Sequence, residues 1–395
     1  MRRLLALTTA LMFLELLFFS VLAPLLPGLK HDLGLSTSQA GLLVAMYAVG
    51  CAVGAIPALL LVVRLGVRPT AVASLVMFAA VSVLFGVAND YDALLAVRFV
   101  QGLAGAACWS VAMIWLLEVA PLQRRGELLG IAFGVSEAGA IAGPAAGGIA
   151  AAAGRSATFI AIGVLCVLLA FVATRFAAPA PPADKRLGIG PAFASARIRR
   201  IMWIPILPAI ALAAISVLVP LQQHRLGAGP GEIAVTFSVA AILGILIRPF
   251  YGRWSDRQGP LRPVRIGLLA CAPFVLAVPW MQTRAATAIV VVGALILIGV
   301  LWAPLMVMLS NASTAQGIGQ LVVVAMMDLT WPPGNIIGSA GGAAIAQGAG
   351  QRVAYAVIAL ALLGGYFALA RERAPDDDTA LADGLSVTHS SVTRS

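Results

Sequence analysis

Lysine is almost missing from this 395-residue chain: Lys30 and Lys185 are the only two. Neither closes a glycine-rich turn or precedes Ser or Thr, so the phosphate cradle of a nucleotide-driven pump cannot be built. Energy for any transport work must then come from an ion gradient or from the substrate's own. Histidine is scarce too, and His31, His224 and His389 fall in loops or the tail, which leaves neither a metal set nor a nucleophile–base pair. The four cysteines (Cys51, Cys108, Cys166, Cys271) lie inside apolar runs without metal-ligand spacing and read as buried, unpaired thiols. No cofactor and no metal are implied. Charge as a whole is thin: 11% of residues are charged against 61% hydrophobic, with mean hydropathy +0.98. Such a balance excludes a soluble globular domain.

What fills the chain is apolar runs long enough to cross a bilayer. Twelve are read, at 4–27, 41–63, 70–88, 94–120, 128–153, 157–174, 201–221, 233–251, 264–281, 286–310, 318–346 and 353–370. The first follows Met1-Arg2-Arg3 but is too long for a signal peptide and shows no small-residue cleavage site before Lys30, so it counts as a span. A net charge of +10 suggests nucleic acid until the cations are placed. With the N-terminus inside, eighteen lie on the cytoplasmic face: Arg2, Arg3, Arg64, Arg68, Arg124, Arg125, Arg175, Lys185, Arg186, Arg197, Arg199, Arg200, Arg253, Arg257, Arg262, Arg265, Arg371 and Arg373. Five lie opposite: Lys30, Arg155, Arg225, Arg284 and Arg352. The excess is the positive-inside pattern; it puts both termini in the cytoplasm and makes the partner a lipid bilayer rather than nucleic acid. The polar segment 175–200 divides the chain into a bundle at 1–174 and another at 201–370, and 371–395 reads as a disordered cytoplasmic tail.

Within the fifth span, Gly139, Gly143 and Gly147 recur every fourth residue, so they form one helical stripe along which a second backbone can approach closely. Pro144 should bend that helix, since it removes a hydrogen bond in mid-span. With Gly130 before the stripe and Gly148 after it, the pattern resembles the fifth-helix antiporter motif of the major facilitator superfamily, in its twelve-helix drug:proton antiporter branch. The stripe has a looser echo in Gly334, Gly338 and Gly342 of the eleventh span. Further motifs share the resemblance. Leu94-xxx-Arg98-xx-Gln101-Gly102 resembles the fourth-helix motif, Pro121-xx-Arg124-Arg125-Gly126 the passage into the fifth helix, and Gly252-Arg253-Trp254-Ser255-Asp256-Arg257-Gln258-Gly259 a cytoplasmic loop signature. The matching first-half loop keeps Arg64, Gly66 and Arg68 but has Val63 where the motif carries an acid, which puts a symmetric cytoplasmic latch in doubt. The resemblance implies an all-α membrane protein of twelve helices in two pseudo-symmetric six-helix bundles, a monomer in the cell's inner (plasma) membrane.

Ionisable residues inside spans are costly and mark function by default. Glu15 lies ~11 residues into the first span, ~17 Å along it and close to the bilayer middle. It reads as a proton or cation site, or else as a carboxyl kept protonated or paired; the resemblance favours the first. Glu137 sits ~200° round the helix from Gly139, facing a central cavity or holding a charge pair. Asp328 precedes Trp331-Pro332-Pro333, where two prolines should break the helix beside an aromatic face suited to substrate. Arg98 serves as counter-ion to one of these acids or snorkels outward. Arg248, near a helix end, reads as snorkelling or in an interfacial ion pair.

Together these residues point to a secondary transporter working by alternating access, with proton-coupled efflux of a small amphipathic compound. Three acids against Arg98 favour cations as cargo. An uptake or exchange permease for a sugar or organic anion stands as the second reading and would need a cavity of Arg or neutral amides. A non-transporting receptor or scaffold would need a soluble domain or a conspicuous tail. An enzyme lacks its nucleophile–base or metal set.

Overall fold

In a computed structural model, residues 2–119, 125–176, 196–314 and 320–370 are described; they form helices and connecting turns, with no strand among them. In chain order the helices are α1 (Arg2–Ser20), α2 (Leu22–Asp32), α3 (Thr37–Leu65), α4 (Val67–Val87), α5 (Tyr91–Val119), α6 (Arg125–Ser136), α7 (Ala138–Ala153) and α8 (Arg155–Thr174). There follow α9 (Ala196–Met202), α10 (Ile206–Arg225), α11 (Pro230–Gln258), α12 (Leu261–Ala277), α13 (Arg284–Thr314), α14 (Gln320–Ile336), α15 (Gly342–Ala349) and α16 (Gln351–Ala370).

Among the described residues, ten helices are long and apolar enough to cross a membrane, against the twelve spans expected. The spans expected at 128–153 and 318–346 are subdivided. The first is split at Glu137 into α6 and α7, and in the second a π-turn at Ile337–Gly341 separates α14 from α15. Two local expectations change accordingly. The helix is divided at Glu137, and Pro144, although it has no N–H to donate, lies buried inside α7 without ending it. Pro332 and Pro333 sit within α14 without ending it, and the π-turn begins at Ile337, beyond the helix end. The polar segment expected to run to residue 200 already turns helical at Ala196. The tail 371–395 lies outside the described residues.

The helix pairings of the first half recur in the second. Helix α1 packs on α7 as α10 does on α14; α3 packs on α5 as α11 does on α13; α4 packs on α8 as α12 does on α16. The glycine stripes explain the first of these pairings. A Cβ at Gly139, Gly143 or Gly147 would fall on the carbonyl oxygens of Phe13, Leu17 and Val21, themselves four residues apart on α1 and its junction with α2. In the other half, Gly334 and Gly338 lie against the carbonyls of Ile206 and Ile210, and Gly342 against Ala214. Each bundle thus has a close, glycine-lined helix pair at the corresponding place.

Outside, the fold presents hydrocarbon-compatible surface: Ile289 is 72% exposed, Leu360 67% and Phe250 66%. The halves meet at the end carrying the turns at 33–36, 154, 227–229 and 350. Ser38 N donates to Gln347 Oε1 at 2.8 Å, Gly41 abuts Ser339 and Ala343, and Gly148 abuts Ala234. On each half, that end is further tied by Tyr91 Oη donating to the Gln39 carbonyl and by Arg284 paired with Glu232. The glycines of the two loop motifs have a backbone reason: Gly66 (φ +92°) and Gly259 (φ +74°) turn the chain between helices in a region side chains avoid.

Candidate functional site

Glu15 lies buried in α1, and its carboxylate oxygen Oε1 accepts from Tyr47 Oη of α3 at 3.2 Å; the same hydroxyl lies 3.3 Å from the Glu15 carbonyl. Room for this pair comes from Gly105 of α5, where a Cβ would collide with the Tyr47 hydroxyl and touch Glu15 Cγ. Gly102 acts likewise a turn earlier, letting the Tyr47 carbonyl reach the α5 backbone. The tyrosine is held against Arg98, whose guanidinium carbon lies 4.8 Å from the ring centroid.

Arg98 takes neither of the two places expected for it. It is fully buried rather than snorkelling. It makes no ion pair among the described residues, and instead Nη1 donates to the Phe18 carbonyl at 2.9 Å and to Gln101 Oε1 at 3.0 Å. Its Nε and Nη2, and Nε2 of Gln101, are buried without hydrogen-bond partners. Glu15, Tyr47, Arg98 and Gln101 therefore form one polar island inside an apolar bundle, with donor capacity to spare. Unmade bonds in such a setting are expensive, which makes the island a place where a proton, water or ligand group has most to gain.

From the island an aromatic path crosses the seam. Phe19 stands 6.0 Å from Tyr47 and meets Trp331 of α14 edge-on at 5.0 Å. Trp331 thus approaches the first bundle. The side chain of Asp328 lies outside the described residues; its backbone is one helical turn before Trp331 in α14. Glu137, at the α6–α7 break, is ion-paired with Arg248 of α11, so it holds a charge pair between bundles rather than a free position. Gly299 of α13 lies beside the Arg248 guanidinium. A second tie lies further along α11, where Ser238 Oγ donates to the Ile141 carbonyl at 3.2 Å.

Other expected residues serve elsewhere. Arg68 lies exposed near the Phe176 carbonyl, Arg64 and Arg257 are exposed, and Gly252 is half-buried in α11. The side chain of Asp256, residues 120–124 and the surroundings of Gly130 are outside the described residues. All four cysteines are buried and none is in a disulfide, and no metal-competent group of ligands occurs among the described residues. A cavity of about 710 Å³ opens between α1 and α8, lined by Arg3, Leu7, Arg175 and Phe176 among others, and contains none of the candidate residues. Tyr47, Gly105 and Phe19 are the members sequence reasoning missed. Their signal is tertiary, since each becomes distinctive only beside a residue on another helix.

Comparison with known proteins agrees with this architecture. The family model of the Major Facilitator Superfamily matches residues 8–327. A chloramphenicol resistance protein of Streptomyces lividans is 29% identical over 273 residues, covering 66% of this chain and 67% of the relative. Among solved structures, a bacterial homolog of the human lysosomal transporter Spinster, inward-facing and occupied, aligns with TM-score 0.75 at 17% identity over 94% of this chain and 98% of that one. The human organic anion transporter MFSD10 aligns with TM-score 0.72 at 16% identity over 93% and 99%. At these identities the structural likeness is one of fold.

Proposed function

The chain belongs to the Major Facilitator Superfamily, and on that premise we propose that it exports a small amphipathic compound, cations preferred, in exchange for protons. The observation that carries this reading is the buried carboxyl of Glu15, bonded to Tyr47 and close to the aromatic path that crosses the seam. A carboxyl in this setting changes the local charge by one unit when it gains or loses a proton, and in a low-dielectric interior that swing is strongly felt by a nearby cation. Glu137 is already answered by Arg248, so of the two candidate acids with described side chains the coupling role falls to Glu15. The resistance protein of Streptomyces lividans, at 29% identity, supports the export direction.

In this reading both termini are cytoplasmic and the closed end faces outward. Protonated Glu15 accompanies one opening of the seam; its deprotonated form attracts the cation in the other. The two zippered pairs, α1–α7 and α10–α14, rock against one another, and the Phe19–Trp331 and Glu137–Arg248 contacts are remade in each cycle.

A second reading has one observation of its own. The unpartnered N–H groups of Arg98 and Gln101 suit an anion or a sugar hydroxyl, and an organic anion transporter shares the fold. Proteoliposomes loaded with a pH-sensitive dye separate the two. Export of lipophilic cations that moves protons in wild type and not in Glu15→Gln supports the first. Anion or sugar exchange without proton flux, lost in Arg98→Leu, replaces it with the second.

A further inference from the structure

Asn335 of α14 is fully buried, yet among the described residues neither its Oδ1 nor its Nδ2 has a hydrogen-bond partner. The backbone is not the reason, because its own carbonyl accepts from Ser339 Oγ at 2.6 Å. A buried amide that makes neither of its bonds is a standing cost, and such groups persist where a further component completes them.

The position of Asn335 says where that component enters. Residues four apart on a helix share a face. Four residues before Asn335, Trp331 meets Phe19 of α1; four after, the Ser339 carbonyl is among the atoms that a Cβ on Gly41 of α3 would strike. This face of α14 is therefore turned to the other bundle, and Asn335 sits on the seam one turn from the aromatic pair. A primary amide offers two donors and one acceptor in a plane. Its complement is a group that both accepts and donates side by side, attached to a ring able to lie against Trp331 and Phe19.

We propose that Asn335, Phe19 and Trp331 form a subsite recognising an aryl carboxamide portion of the transported compound. The inference rests on the reading of the chain as an exporter and narrows its cargo. Parting of the seam bares the Asn335 amide, and a carboxamide there pairs with both of its atoms while its ring stacks on the aromatic edge. A ligand of the same shape without N–H donors leaves the acceptor of Asn335 unpaired.

The test uses two cations alike in all but the recognised group: 4-(dimethylaminomethyl)benzamide and methyl 4-(dimethylaminomethyl)benzoate. Their affinities for the purified full chain are measured by titration calorimetry, and proton movement is followed in proteoliposomes. Wild type is expected to bind the benzamide about tenfold more tightly than the ester, in the direction by which a site built to hydrogen-bond rejects an analogue lacking the group. Asn335→Leu should erase that preference, with the benzamide losing more affinity than the ester, and melt at a temperature no lower than wild type because it removes two unpaired atoms. Should Asn335→Leu fail to fold, Asn335→Ala reads the same ratio. Failure of wild type to bind the benzamide, an equal affinity for the two probes, or a preference that survives the substitution each overturns the proposal. Absence of proton movement with either probe overturns the exporter reading instead, while the binding ratio still decides Asn335.

Discussion

Glu137 and Arg248 are an ion pair whose two members belong to different bundles, the acid at a helix break in the first and the cation in mid-helix in the second. Their side chains are 21% and 30% exposed, so the pair is partly shielded from solvent. Arg248→Ala and Glu137→Ala should each slow transport and lower the melting temperature. The double variant should lose less than the sum, with a coupling energy of about 1–2 kcal/mol. Additive losses in a double-mutant cycle would show that the pair does not tie the bundles.

The Glu15–Tyr47 contact predicts separable effects. Tyr47→Phe should cost about 1 kcal/mol in stability through one lost hydrogen bond, and weaken proton coupling while the protein still folds. Glu15→Gln should make transport indifferent to external pH. A pH profile in Glu15→Gln that superimposes on wild type would remove Glu15 from the coupling step.

Gly105 and Gly139 test close packing in two different places. Gly105→Ala places a methyl on the Tyr47 hydroxyl, and Gly139→Ala one on the Phe13 carbonyl. Each should destabilise by about 1–3 kcal/mol. Gly134→Ala and Gly364→Ala, with open space around them, should leave melting unchanged. Equal melting for all four variants would contradict the close approach of these helices.

Thiol accessibility gives a test independent of transport. Cys51, Cys108, Cys166 and Cys271 are all buried, so a membrane-impermeant maleimide should label the native protein at none of them and the denatured chain at all four. Labelling before denaturation would show a helix arrangement more open than the one described.

The bundles were legible in the sequence because their causes are local: apolar runs of bilayer length and glycines every fourth residue. Glu15 and Trp331 were legible as oddities within such runs. The position of Arg98 was legible only in part: its partner Gln101 stands three residues on in α5, but a backbone carbonyl of α1 and a ring of α3 leave no trace in spacing along that helix. The break at Glu137 escaped for the opposite reason: Pro144 is the louder local signal, and a proline whose missing bond is tolerated inside a packed helix need not interrupt it. Asn335 is unremarkable along the chain and conspicuous only once its neighbours fail to bond it.

The matched stripes at Gly139, Gly143, Gly147 and at Gly334, Gly338, Gly342 have a mechanical consequence. Where main chain lies on main chain there is little side-chain cushion to compress, so in the proposed cycle α1 with α7, and α10 with α14, should act as stiff levers. Flexing is left to the long side chains at the seam, which act as the bearing surface. Wear on that bearing, through changes at Phe19, Glu137, Arg248 or Trp331, should alter the speed of the stroke, whereas damage to a lever should stop it.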